Sequence, residues 1–282
     1  VRGDNNTFLL VHSLVVRQAY ILELHKSADA RMLFTQRETR ARLWWAIYCL
    51  DRKVAVYNRD IPPQVPCHSF PVLLPIADSH FNSVVHPVAS DSERSVRGHM
   101  IVLMGIYGRI IDSKNNAPNL YSTRILEESL LDWYSIVRHI IIDISLEDER
   151  LTSYDDWLKI FTKAMYHEAY IFLYQEEFGR ICQSAVLSEI QVKIFGTCIL
   201  SASSIAEISK VMYRRNPKSL YIDPFIDFCL NGAASLYLML RNSEHHSNYF
   251  SLDNVNSLLN ALKVKSKFSK FSEAMLRSIS DT

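Results

Sequence analysis

Residues 36–65 read Gln36-Arg37-Glu38-Thr39-Arg40-Ala41-Arg42-Leu43-Trp44-Trp45-Ala46-Ile47-Tyr48-Cys49-Leu50-Asp51-Arg52-Lys53-Val54-Ala55-Val56-Tyr57-Asn58-Arg59-Asp60-Ile61-Pro62-Pro63-Gln64-Val65. Thr35 to Glu38 has the spacing of a capping box, in which the Thr oxygen takes an N–H of the first turn and Glu38 reaches back. Leu43, Ile47, Leu50, Val54 and Tyr57 then recur at alternating spacings of four and three. That is one apolar stripe of a helix running to about Tyr57. Trp44 and Trp45 stand about 100° apart around such an axis, so they should face two different neighbouring helices. Glu38 and Arg42 form an i,i+4 pair, and Arg40 lies one turn before Trp44, where its guanidinium could rest on the indole. Asp51 and Arg52 follow two turns after the tryptophans. Charges on an otherwise apolar helix should find partners on other elements, because stranding one in the interior is costly. The stretch therefore predicts a core helix of an all-α protein, with its aromatics packed and its Asp/Arg set in buried ion pairs.

After Tyr57 the helical pattern stops. Pro62, Pro63, Pro66, Pro71, Pro75 and Pro87 predict an extended, proline-rich connection over about 58–90. On either side the periodicity is helical. Helices are expected at 7–25, from a capping box at Ser90–Glu93 to about 113, and at 123–144. Lys114–Asn119 reads as a loop by composition. Ser153–Asp156 begins the longest helix, which reaches about Cys182 and is apolar nearly all round (Trp157, Ile160, Phe161, Ala164, Met165, Ile171, Phe172, Phe178, Ile181). Further helices are expected at 188–215, 224–242, 252–264 and 267–279, with Asp223-Pro224 placing proline at a first helical position. The result is a single multi-helix bundle over residues 1–282.

Composition agrees. Seven glycines in 282 residues stand against roughly twenty at average usage. Hairpins, bulges and phosphate-cradling loops all need glycine, so the scarcity argues against β and nucleotide-binding α/β folds. Thirty-one Lys and Arg balance thirty Asp and Glu, for a net charge of +1. A domain that grips nucleic acid through its own surface usually carries a basic excess. The five cysteines are scattered without any CxxC pair, which removes the usual zinc spacing. They read as reduced, buried small hydrophobes. No apolar run approaches the ~18 residues of a membrane span. The chain opens on Val1, which suggests a piece of a longer protein.

Catalytic and metal motifs are thin. There is no GxGxxG, P-loop or GxSxG elbow. Gly105-Ile106-Tyr107-Gly108 reads as a close helix approach. His167-Glu168 opens like HExxH, but Ile171 stands where the second His belongs. No Glu-x-x-His pair for a di-iron bundle occurs. Glu176-Glu177 reads as partly solvated, and His245-His246 as a polar helix-end loop.

The stretch quoted above resembles the signature of the fungal-specific transcription factor domain, the middle homology region of fungal zinc binuclear cluster regulators. That signature is a run of arginines, Leu-Trp-Trp, a nearby aromatic, Leu-Asp-Arg and a Gly-Arg-Pro turn. Arg40, Arg42, Leu43, Trp44, Trp45, Tyr48, Leu50, Asp51 and Arg52 match it. Val15 to Lys26 resembles the family's preceding helix, which ends Leu-Gly-Leu-His-Arg, with Glu23 in place of the glycine. Asn58-Arg59-Asp60 replaces Gly-Arg-Pro. The clear match covers about residues 8–75.

The resemblance implies a regulatory domain that controls activator output when a small-molecule effector or a protein partner binds. It implies a nuclear parent chain with a six-cysteine zinc cluster that binds DNA, a dimerisation coil that makes a homodimer, and transcriptional co-regulators as partners. Zinc is expected only in that absent DNA-binding domain, and no cofactor, metal, catalytic residue or membrane contact in this one. The signature residues Arg40, Arg42, Trp44, Trp45, Tyr48, Asp51 and Arg52 are expected to be structural and regulatory. Fourteen tyrosines among the aromatics could furnish an apolar pocket with polar tips, or simply core. A helical protein-interaction scaffold is the alternative, and an enzyme with a helical cavity the alternative of another class, unsupported by motifs.

Overall fold

The computed structural model describes residues 2–58, 61–66, 70–76, 81, 95–115, 120–142, 153–221, 223–267 and 269–280. Among these it has nine α-helices and no strand: α1 Arg2–Ile21, α2 Phe34–Tyr57, α3 Val96–Asn115, α4 Leu120–Ile142, α5 Tyr154–Cys182, α6 Glu189–Arg215, α7 Ile226–Arg241, α8 Leu252–Lys265 and α9 Lys270–Ser280. Residues 61–66 and 70–76 run without helix or strand, as their prolines require. The Ser90–Glu93 cap, Cys67, Pro87 and residues 116–119 of the expected loop lie outside the described residues. The helices fall into two compact units, Val1–Trp133 and Tyr134–Thr282.

In the first unit, α1 ends in a Schellman turn. Leu24 N–H donates to the Ala19 carbonyl and Glu23 N–H to that of Tyr20, both at 3.0 Å. The turn requires a left-handed residue, and Glu23 supplies it at φ 54°. Leu24, just beyond, is buried.

Two details of α2 differ from the sequence reading. The helix starts at Phe34, so Thr35 lies inside the first turn, and Gln36 Oε1 accepts the Leu33 N–H at 3.2 Å. Glu38 does not reach back but is buried beside Arg42. The expected stripe is also split: Ile47 and Val54 are buried, whereas Leu43 is 48% exposed and Leu50 and Tyr57 37%. The buried face instead carries Glu38, Ala41, Trp44, Trp45, Tyr48, Asp51, Arg52 and Ala55. Hydrophobic periodicity alone overlooked this face because its polar members are buried by partners from distant residues. α2 packs on α1 and α3. At the α2–α3 contact a Cβ on Gly105 would stand 3.3 Å from the Tyr48 hydroxyl, so glycine permits the close approach expected there. Trp133, just past the middle of α4, ties that helix to α3 by donating its indole N–H to the His99 carbonyl at 2.9 Å.

In the second unit α5 is the hub, packed on α6 and α7, with α8 on α6. The Ser153 hydroxyl accepts the Asp156 N–H at 3.1 Å, so the predicted cap starts the longest helix where expected. Pro224 lies in the turn before α7 rather than at its first position. Asp223 Oδ1 accepts the Phe225 N–H at 2.8 Å, which makes that turn the lead-in. Lys265 and Asp227 form a buried ion pair at 2.9 Å, with the Leu220 carbonyl as a second acceptor for the ammonium. By length and composition, α6 is apolar enough to cross a membrane. Half of that stretch is buried within the protein, including Ile194, Phe195, Cys198, Ala202 and Ile205, which is how a core helix meets the same criterion.

Candidate functional site

Prolines rob a backbone of N–H donors and prevent it from forming its own helix, so its remaining polar groups need outside partners. For residues 64–66 and 71–76 those partners come mainly from α2. Asp51, at 1% exposure, accepts the N–H of Gln64 through Oδ1 and of Val65 through Oδ2, each at 3.0 Å. Arg52 is fully buried. It donates through Nη2 to the Pro66 carbonyl at 2.9 Å and through Nη1 to Asp51 at 2.7 Å. Its guanidinium carbon lies 4.3 Å from the Tyr48 ring centroid. Both charges are therefore paired with each other and with backbone outside their helix. That is the only way such groups are tolerated in an interior.

About three turns earlier on α2, Glu38 and Arg42 repeat the arrangement on Ile76. Glu38 Oε1 accepts the Ile76 N–H at 3.1 Å, Arg42 Nη2 donates to the Ile76 carbonyl at 3.0 Å, and the side chains pair at 2.8 Å. Trp45 donates its indole N–H to the Leu73 carbonyl at 2.9 Å. Ser27 and Ser95 donate to the carbonyls of Pro71 and Pro75, both at 2.7 Å.

The tryptophans do face different neighbours, though not two helices. Trp44, fully buried, meets the edges of Tyr20 on α1 and Phe70 in the connection, with His25 tilted against it at 5.8 Å. Trp45 meets Tyr48 and the connection. Nor does Arg40 lie on the Trp44 indole. Its Nη2 donates to the carbonyls of Leu22 and Glu23, 3.1 and 3.2 Å away, and so closes the turn after α1. The signature residues thus share four tasks. Arg40 holds the end of α1, Asp51 and Arg52 hold 64–66, and Arg42 and Trp45 hold 73–76. Trp44 and Tyr48 fill the space between.

His12, Ser27, Gln64, Phe70 and Ser95 escaped the sequence reading, since their partners are 13–51 residues away and no local pattern marks them. His12 is buried on α1 with its Nε2 3.4 Å from Asp51 Oδ1. Burial, with the Asp51 charge adding to it, raises the phenol of nearby Tyr20 above its ordinary value, while Arg52 opposes the shift.

Beside the clamp, the turn after α1, the N-terminal half of α2 and residues 71–76 enclose a groove of about 640 Å³. Leu24, Phe34, Ala41 and Leu74 are among its walls, and Arg37 and Arg40 among its polar groups.

In the second unit Glu168, on α5, is buried against the bare Cα of Gly232 on α7. Burial pushes the Cys198 thiol up to about 12 and the Cys229 thiol well above its ordinary value, with Glu168 adding to both. Four cysteines, Cys49, Cys182, Cys198 and Cys229, are free and buried. Among the described residues no three His, Cys, Asp or Glu side chains converge as a metal site. His246 Nε2 meets the Ser184 carbonyl at 3.0 Å and its ring packs on Phe195, so it fastens the segment before α8. Chemically, the clamp's carboxylates are occupied by N–H donors and guanidinium groups. It is built to hold backbone in place rather than to exchange protons with a substrate.

A family model described as the fungal specific transcription factor domain matches residues 1–166. The match extends well beyond the stretch around the tryptophans and takes in the whole first unit. No curated protein and no solved structure matches the chain. The matched family is one of transcription regulators and not a class of enzymes. With the α2 signature in place and more than half of its length matched, the chain belongs to the fungal-specific transcription factor domain family, as a regulatory domain of a fungal transcription factor.

Proposed function

We propose that this domain controls the output of its parent activator by holding or releasing residues 64–66 and 71–76, and that a small molecule or protein partner sets which of the two prevails. One observation carries the reading: Asp51, Arg52, Glu38, Arg42 and Trp45 of a single helix all grip backbone atoms of one proline-rich segment. Side chains that bind main-chain groups fix where a segment runs without dictating its residues, and five such grips act together. A ligand that competes for any of them shifts the segment as a unit, provided it binds the two states differently. The parent protein acts in the nucleus, reads DNA through a zinc cluster domain elsewhere in the chain, works as a homodimer and recruits co-regulators through the surface the switch exposes.

The test is a reporter assay of the full-length regulator carrying Asp51→Asn or Trp45→Phe, with protein levels matched. Transcription independent of inducer is the expected result. Normal inducible regulation in both variants would remove the clamp from the switch. A second reading, a helical interaction scaffold, draws on α1, where Leu10, Leu14 and Ile21 are each more than half exposed along one side. A scaffold would bind its partner equally well with the clamp intact or broken.

A further inference from the structure

We infer that the groove beside the clamp binds a small organic anion, a carboxylate carried on an apolar body. The inference rests on the effector-responsive reading above and names the ligand's chemistry and place. At about 640 Å³ the groove falls in the ~300–1,000 Å³ range of small-molecule sites. Its walls are mostly apolar, with Leu24, Phe34, Ala41 and Leu74 facing one space. The charge around that space is one-sided. Lys26, Arg37 and Arg40 line it, against Glu38 alone, three cations to one carboxylate.

Glu38 is already committed, since Oε1 receives both the Arg42 guanidinium and the Ile76 N–H. The cations are less engaged. Arg40 turns Nη2 onto two carbonyls, while its Nε is buried without a hydrogen-bond partner among the described residues. Arg37 is exposed, stands one turn before Arg40 on the same side of α2, and makes no ion pair among the described residues. Among the described residues Lys26 is held only by Glu23, in a pair whose members are both more than half exposed. Such a pair is easily exchanged for another anion.

An ammonium ligand would meet this excess of positive charge. A purely apolar one would cover Arg40 Nε and leave it unbonded, and a neutral acceptor would bond it without answering the charge. A carboxylate satisfies the donors, and charge-assisted bonds to guanidinium are the stronger kind. The site adjoins residues 71–76, so an anion drawn toward Arg40 sits against the segment that Arg42 and Trp45 hold.

The test uses octanoate as the probe, titrated into the 282-residue chain by calorimetry, with octan-1-ol and octylammonium as matched controls. Saturable one-to-one binding of octanoate is expected, at least about tenfold tighter than either control. Arg37→Glu should weaken it by at least about tenfold at an unchanged melting temperature, because Arg37 is exposed and an acid is welcome near a helix start. Ala28→Trp, which fills the groove from its loop side, should abolish binding. Equal affinity for octanol, indifference to Arg37→Glu, or uptake that never saturates would each overturn the assignment. So would displacement of octanoate by an acidic peptide at lower concentration than octanoate itself, which would assign the groove to a protein partner. Reporter output of the full-length regulator separates the two readings. Arg37-dependent binding with an unresponsive reporter keeps the site and sinks the effector reading. A reporter that answers octanoate alike in wild type and Arg37→Glu does the reverse.

Discussion

Asp51 and Arg52, adjacent in sequence, bind opposite polarities of one stretch of backbone. The carboxylate accepts the N–H groups of Gln64 and Val65, and the guanidinium donates to the Pro66 carbonyl. The pair closes on itself at 2.7 Å, and neither member reaches solvent. Removing one charge of such a pair strands the other and its backbone partners, which costs ~3–5 kcal/mol, against under ~1 for an exposed pair. Asp51→Asn and Arg52→Ala should each lower the urea midpoint accordingly, and the double variant should cost less than their sum. Wild-type midpoints in both single variants would refute a buried clamp.

Glu23 occupies the left-handed position of the Schellman turn where the family signature has glycine. A side chain there costs roughly 1–2 kcal/mol, partly offset because glycine also loosens the unfolded chain. The exposed Lys26 pair lost with the carboxylate is worth little. Glu23→Gly is therefore expected to raise stability by up to ~1 kcal/mol. A variant that melts lower than wild type would mean that the carboxylate matters more than the turn.

Trp44 is fully buried between α1 and Phe70, and its N–H meets no acceptor among the described residues. Its role is volume. Trp44→Ala should cost ~3–5 kcal/mol through lost burial and the cavity left behind. Trp45→Phe keeps most of the ring but removes the bond to the Leu73 carbonyl, so a loss nearer ~1 kcal/mol is expected. Comparable losses in the two variants would contradict this division of labour.

A Cβ at Gly232 would collide with both carboxylate oxygens of Glu168, which has no solvent to move into. Gly232→Ala should destabilise the second unit by ~1–3 kcal/mol, the usual range for overpacking. Shortening the neighbour with Glu168→Ala should recover part of that loss in the double variant. A double-mutant cycle without coupling would show that Glu168 is not what the methyl meets.

Alkaline pH should weaken the fold. Burial raises the thiols of Cys182 to about 11 and Cys198 to about 12, and pushes Cys229 well above its ordinary value, which is near 9 for all three. Between those values the unfolded chain loses protons that the folded chain keeps, so stability present below about pH 9 falls as pH rises toward 11–12. Cys198→Ala should flatten the decline between pH 9 and 11 in denaturant titrations. An unchanged slope would assign the loss to other groups, such as the tyrosines whose values burial also raises.

What the sequence determined by itself was the all-α class, most helix boundaries and the family. These rest on local physics: apolar period, proline and glycine placement, and caps such as Ser153 that act within one turn. The family signature was legible because Trp44, Trp45, Asp51 and Arg52 sit on one helix in unbroken order. Tertiary structure alone decided which side of that helix is inside. Leu43 and Leu50 lie outward while Asp51, Arg52 and Glu38 are buried, reversing what hydrophobicity favours residue by residue. The reason is that a buried charge is tolerated only through its partners. Here those partners are main-chain groups of Gln64, Val65, Pro66 and Ile76. Backbone N–H and C=O groups are the same in every residue type, so no letter in the sequence marks them as the groups that α2 will hold.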